Sequence, residues 1–327
     1  MSYSLVRAFP FGDKTAGMES PAVSPSSVAC LTVLGFEAIV GIITNVFILS
    51  VILYGLYKRQ NMSTSDTILV ALCFSNASYA ATTLATRLCD TFWLKIDAVQ
   101  KKKNVLFGIA LYSITCSSWL TACLCLFYFF KILNFRWAFL SWVKMKIDAV
   151  VPWLILVSEV VSVCSSASCM LPNEFRKASS NDLPRNISTD ETSEIGNIGL
   201  TSLNFIFITI CIPILTAVLT TFFTFRYLKL HSYRMRMNMG SRGGANLKAH
   251  QTAANTMIRL LVLYSMLYLS TFFYCFETFP QFSAGHWIIL MILFSFTPVQ
   301  SVLLILGNPK VKDALKKTLC SLRCSED

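Results

Sequence analysis

Ser118 to Phe135 reads SWLTACLCLFYFFKILNF. It carries no charge until Lys131, and four aromatic residues, Phe127, Tyr128, Phe129 and Phe130, stand directly before that lysine. Upstream the uncharged run continues back to Val105. A bilayer crossing needs roughly 20 predominantly apolar residues, and aromatic rings followed by a snorkelling lysine mark a membrane–water boundary. Val105–Phe130 is therefore a transmembrane helix that ends at Lys131.

The rest of the chain repeats the pattern. Of 327 residues, 54% are hydrophobic and only 14% charged, and the mean hydropathy is +0.58. Soluble domains carry about 25% charged residues. Further apolar runs lie at Val28–Tyr57, Thr67–Thr86, Ala149–Met170, Ile198–Tyr227, Met257–Phe279 and Trp287–Leu306. Backbone in lipid must satisfy its own hydrogen bonds, so the expected fold is an all-α bundle of seven transmembrane helices. Residues 1–27 form an outer N-terminal tail, 28–307 the bundle, and 308–327 an inner tail with a short amphipathic helix. Met1–Ser27 is polar and lacks an apolar core of its own, so no cleavable signal peptide is expected.

Basic residues set the orientation. With the N-terminus outside, the inner loops and tail collect most Lys and Arg, among them Lys58, Lys131, Arg136, Arg226, Arg234, Lys310 and Lys317. Lys101–Lys103 is the contrary signal. The sequon Asn186-Ile-Ser188 falls in the polar loop after the fourth span, where this topology leaves it open to glycosylation. The net charge of +11 is divided among short loops beside spans, where orientation and anionic lipid account for it; a nucleic-acid partner is rejected. The twelve cysteines show no metal-ligand spacing, and no metal or cofactor is implied. Cys89 and Cys169 lie at outer ends, where they could pair. Cys320 and Cys324 follow a basic amphipathic stretch, where palmitoylation and free thiols fit equally.

No convergent set of reactive groups suggests an enzyme. The intramembrane acids Glu37, Glu159 and Glu277 lie on different spans. A charge within a span is a functional candidate; Glu37 and Glu159 should face the bundle interior, whereas Glu277 reaches toward the interface. Asn45 in mid-span needs a polar partner, and an interhelical hydrogen bond is expected. Pro213 and Pro298 predict kinks. A transporter is the rival class, but internal repeats and paired helix breaks are missing from the sequence.

Five segments then resemble the type 2 (bitter) taste receptors, a family of G-protein-coupled receptors. Glu37-Ala-Ile-Val-Gly41-Ile-Ile-Thr-Asn45 is similar to the family's first span, and Asp66-Thr-Ile-Leu69 to its second. Trp119, Thr121, Cys123, Leu124 and Phe127–Ile132 resemble the third-span signature, in which uncharged residues fill the place of the acidic–Arg–Tyr triplet of the best-known heptahelical receptors. His231 with Met235, and Ala249-His250 onward, match the inner ends of the fifth and sixth spans. Ser301 to Lys310 looks like the end of the seventh. There are departures: Asn76 stands where an Arg is common, Gln300 replaces a His before Ser301, and Ala110 and Ile114 replace a pocket-facing Trp and Asn.

The resemblance implies binding without chemistry. A small organic agonist would enter an outer cavity among the third, fifth, sixth and seventh spans. Phe107, Ala110, Leu111 and Ile114 share a helical face by i, i+3, i+4, i+7 spacing, and Tyr268, Thr271 and Tyr274 offer hydroxyls opposite; the other reading of the same stripe is bundle core. Trp119 is assigned to helix packing. Lys131, Ile132, Arg136, His231, Met235 and His250 would face a heterotrimeric G protein, of gustducin type by resemblance, although Lys131 also reads as a membrane anchor. Glu37, Asn45 and Asn76 would be structural polar residues. Plasma-membrane localisation follows. The alternatives are a type 1 vomeronasal-like chemoreceptor, which would need different third- and seventh-span motifs, and a multi-span transporter.

Overall fold

The computed structural model describes residues 25–58, 62–92, 97–133, 138–182, 209, 211–230, 244–275, 278–280 and 283–323. They form eight helices and, among the described residues, no strand. In chain order these are α1 (Pro25–Tyr57), α2 (Thr64–Phe92), α3 (Asp97–Ile132) and α4 (Ala138–Asp182). There follow α5 (Cys211–Leu230), α6 (Gly244–Cys275), α7 (Ala284–Gly307) and α8 (Pro309–Arg323). The first seven are long and apolar enough to cross a bilayer, and the expected bundle is present.

The boundaries differ in instructive ways. α4 continues as helix to Asp182, through the first part of what the sequence reads as a polar loop. α3 begins at Asp97, so Lys101–Lys103 prolongs the helix beyond its apolar window. α6 stops at Cys275, before Phe279. Apolar length marks where lipid begins and ends, whereas a helix stops where its backbone hydrogen bonds stop; the two need not coincide.

α1 packs on α2 and α7, α3 lies between α2 and α4, and α6 packs on α7. α3 is the central strut: 67% of its apolar window is buried, against 17% for α1. Large apolar side chains such as Phe36, Ile43, Trp153 and Leu215 point outward, a surface suited to hydrocarbon and not to water. Along the spans Ser and Thr hydroxyls return to their own helix four residues back. Thr32 donates to the Val28 carbonyl, Thr83 to Tyr79, Ser162 to Ser158 and Thr224 to Thr220, at 2.6–2.9 Å.

Links between helices are fewer. Thr44 and Ser301 hydroxyls meet at 2.6 Å across α1 and α7, and Ser75 donates to the Ser113 carbonyl of α3 at 2.7 Å. α7 continues through Pro298. Asn308 then caps α8, its Oδ1 accepting from the backbone N–H of Lys310 at 3.0 Å and of Val311 at 3.4 Å, with Pro309 in the first helical position, where its missing N–H costs nothing. α8 turns Val311 and Leu315 onto the bundle core and leaves Lys310, Lys312, Lys316 and Lys317 exposed, the amphipathic pattern expected.

At Gly41, α1 packs tightly on α7. A Cβ there would lie 3.0 Å from Thr297 Cγ2 and 3.2 Å from Pro298 Cδ, both held by a helix, whereas at Gly35 the nearest atom is 4.0 Å away. Overpacking costs about 1–3 kcal/mol. Gly41→Val is therefore expected to lower the thermal midpoint of the detergent-purified protein, while Gly35→Ala leaves it unchanged in the same melting assay.

Candidate functional site

Ser117 and Thr121 lie one turn apart on the inward face of α3, and both are buried. Between them sits the hydroxyl of Tyr264 from α6, 2.9 Å from Ser117 Oγ and 2.8 Å from Thr121 Oγ1. It also donates to the Ser117 carbonyl at 2.9 Å and accepts from Gln300 Nε2 of α7 at 2.9 Å. Ser117 Oγ in turn donates to Asn76 Oδ1 of α2 at 2.7 Å.

The donors balance. A phenol has one proton and two lone pairs, so the proton goes to the Ser117 carbonyl while Gln300 and Thr121 fill the lone pairs. The Ser117 proton is left for Asn76. Four helices thus meet at one hydroxyl cluster, and Phe296 closes it edge-on to the Tyr264 ring at 5.0 Å. Asn76 and Gln300, the two departures from the family pattern, are both members, and both are fully buried.

Toward the outer end lie the residues expected to bind a ligand. Ile114, Tyr268 and Tyr274 pack against one apolar cluster that includes Leu34, Leu267, Ile289 and Leu290. Ala110 is buried, and Phe107, Leu111 and Thr271 are half-buried. The Thr271 hydroxyl donates to the Leu267 carbonyl at 2.9 Å. Tyr268 also lines a cavity of about 10 Å³ with Ser118 and Thr121 of α3 and Pro213 and Ala217 of α5, room for roughly one water.

Sequence reasoning overlooked Arg87 of α2. Its Nη2 donates to the Tyr274 hydroxyl at 2.9 Å, and the guanidinium stands 5.6 Å from the Tyr274 ring centroid. The His286 ring is 6.1 Å from the same tyrosine. An arginine directly after the apolar run Thr67–Thr86 was the available signal. Tyr264 was missed as well, although Tyr264, Tyr268 and Thr271 share one face by i, i+4, i+7 spacing.

At the inner end Lys131 is exposed, its Nζ 5.0 Å from the Phe127 ring centroid. Ile132 departs from expectation: it is buried with Leu228 of α5 and Ala254 of α6, so it closes the inner end and does not face outward. Its side chain falls on the side of α3 that those two helices cover. Arg136, His231, Met235 and Asn186 lie outside the described residues, as does the side chain of His250. Lys310 pairs with Asp66 of α2 at 2.9 Å, and Asp66 also accepts from the Ser63 backbone at 3.2 Å.

Asn45 is a correction. It is fully buried, but its amide donates at 2.8 Å to the Gly41 carbonyl of its own helix, and its Oδ1 has no partner among the described residues. The neighbouring Thr44 makes the cross-helix link instead. Glu37 reaches α7, accepting from Ser295 at 2.8 Å. Glu159 bonds the Tyr112 hydroxyl and, at 3.4 Å, the Cys116 thiol of α3, and it borders a cleft on the flank of the bundle. The Trp119 indole N–H is buried without a partner among the described residues. Cys89 is a free thiol.

The model of the family described as taste receptor protein (TAS2R) matches residues 23–323. Human taste receptor type 2 member 39 is 28% identical over 298 residues, 88% of this chain and 85% of the relative. Taste receptor type 2 member 14 of Pongo pygmaeus is 30% identical over 297 residues, 89% and 91%. Taste receptor type 2 member 40 of Gallus gallus is 24% identical over 301 residues, 89% and 94%.

Removing the phenol hydroxyl strands buried groups on α3 and α7. A buried donor or acceptor left without a partner costs about 1–3 kcal/mol. Tyr264→Phe is expected to lower the thermal midpoint clearly, and Thr121→Val, which removes a smaller share of the cluster, to lower it less. Equal midpoints for Tyr264→Phe and the unsubstituted protein would contradict the assigned role of the cluster.

Proposed function

The chain belongs to the type 2 taste receptor family, and we propose that it detects small bitter-type organic molecules in an outer transmembrane cavity and activates a heterotrimeric G protein. It is a multi-pass membrane protein; the plasma membrane is the proposed location. The observation that supports the reading best is the placement of the Tyr264 cluster. It joins α2, α3, α6 and α7 directly beneath Ile114, Tyr268 and Tyr274, so a molecule wedged among those three side chains bears on helices that share one hydrogen-bonded centre.

The outer residues suit a mostly apolar guest. Phe107, Ala110, Leu111 and Ile114 supply apolar wall, and Tyr268, Thr271 and Tyr274 supply a few oriented hydroxyls, the usual make-up of a ligand pocket. Arg87 adds positive charge beside Tyr274 and favours electron-rich or acidic groups. An agonist acts only through unequal affinity for two arrangements. In the arrangement described, Ile132 with Leu228 and Ala254 closes the inner end; the active one separates that contact and admits a G-protein segment beside Lys131, Arg136, His231, Met235 and His250. Gustducin is the proposed G protein on family grounds.

Calcium imaging of cells that express the chain with a promiscuous Gα, challenged with a panel of bitter compounds, tests the reading. Responses should require the Gα; a ligand-gated current that persists without it would establish a channel or transporter instead. Ile114→Trp should raise the half-maximal agonist concentration by about fivefold or more, the equivalent of the low end of an overpacking penalty, with surface expression retained. For orientation, the protein from mammalian cells should lose mass on treatment with an N-glycanase, and Asn186→Gln should abolish that shift. Glycan that survives the substitution would move the sugar to another sequon.

A further inference from the structure

On the flank of the bundle, away from the Tyr264 cluster, lies a cleft of about 360 Å³. Leu49 and Leu53 of α1 and Ala71 and Phe74 of α2 form its apolar walls, and Tyr112 of α3 and Glu159 of α4 supply its polar end. Leu53 is 51% exposed and Phe74 67%, so the mouth opens onto hydrocarbon. Glu159 lies nine residues from Ser168, the last residue of its span, which at 1.5 Å per residue is roughly 14 Å below the end of the span.

A carboxylate at that depth is costly, and such groups pair with a cation or mark a binding path. Two neutral donors reach it, the Tyr112 hydroxyl on Oε2 and the Cys116 thiol on Oε1. Among the described residues no Lys, Arg or His pairs with Glu159. A carboxylate offers about four acceptor positions, so two remain. Both donors present are neutral, so what the site lacks is positive charge. The volume falls at the low end of the range for small-molecule pockets, roughly 300–1,000 Å³, and the walls are apolar.

We propose that this flank cleft is a second ligand site, which takes a lipophilic amine in its protonated form, the ammonium on Glu159 and the hydrocarbon against Leu53, Ala71 and Phe74. The ligand enters from the bilayer, where amphiphilic amines concentrate. The ammonium adds an opposite charge to its hydrogen bond with the carboxylate, whereas a neutral alcohol of the same length offers the hydrogen bond alone. The site is separate from the outer cavity between α3 and α6, and occupancy does not depend on G-protein coupling.

The test uses the full chain in phosphatidylcholine nanodiscs with a diazirine-bearing dodecylamine and its dodecanol counterpart, with photolabelled peptides mapped by mass spectrometry. The amine should label peptides containing Ala71 and Glu159 about tenfold more than the alcohol, a step of about 1.4 kcal/mol from the added ammonium charge, and unmodified dodecylamine should compete. Glu159→Gln should bring amine labelling down to the alcohol level. Ala71→Trp, which fills the cleft and keeps the carboxylate, should reduce labelling by both probes, so the result does not hang on one variant. Equal labelling by amine and alcohol, or amine labelling undiminished in either variant, overturns the proposal. Displacement of the amine by a photoreactive cholesterol that labels the same peptides more strongly overturns it in favour of a sterol.

Discussion

Two apolar helices gain little from touching each other in a solvent that is itself apolar, so a membrane bundle coheres through close packing and hydrogen bonds between helices. In this chain that constraint converges on the Tyr264 hydroxyl. Its one proton and two lone pairs are all engaged, by the Ser117 carbonyl, Gln300 and Thr121, and Ser117 carries the connection on to Asn76. The register of α6 against α3, and of both against α2 and α7, is set there. Close packing contributes elsewhere, at Gly41 against α7 and at Gly307, where a Cβ would come within 2.8 Å of Thr256.

The seven spans were legible because hydrocarbon thickness imposes a minimum apolar length, and each run from Val28–Tyr57 onward meets it. The end of the third span was legible for the same reason, since Lys131 cannot follow Phe130 into lipid. α8 was legible from Asn308-Pro309, a cap and a first-turn residue side by side. Helix faces were not. In water an apolar stripe marks the buried side, but in lipid the outside is apolar too, so α3 is apolar all round and its periodicity does not say which side meets α6. Polar residues are then the better guide, and even they mislead. Asn45 found its partner within α1.

The candidate site shows the same division. Ile114, Tyr268 and Tyr274 do come together around one apolar cluster, as spacing suggested. Arg87 escaped notice because it lies near the end of a span, where a cation reads as an interfacial anchor. Only the fold reveals that α2 delivers it to Tyr274. Gln300 and Asn76 each read as a departure when taken alone. Together they are compatible, because an amide at each position can share hydroxyls with Ser117, Thr121 and Tyr264 without any charge to neutralise.

The hydroxyls that fold back on their own helices bear on how the chain enters the membrane. Thr32, Thr83, Ser162 and Thr224 each satisfy their donor on a carbonyl one turn earlier, a bond that needs no second helix. Those hydroxyls are satisfied in each helix before it meets another. Others, among them Ser75, Ser117, Thr121, Tyr112 and the Tyr264 phenol, find their partners on other helices. The Tyr264 cluster is consequently a late contact, complete only when α6 and then Gln300 of α7 have joined α3.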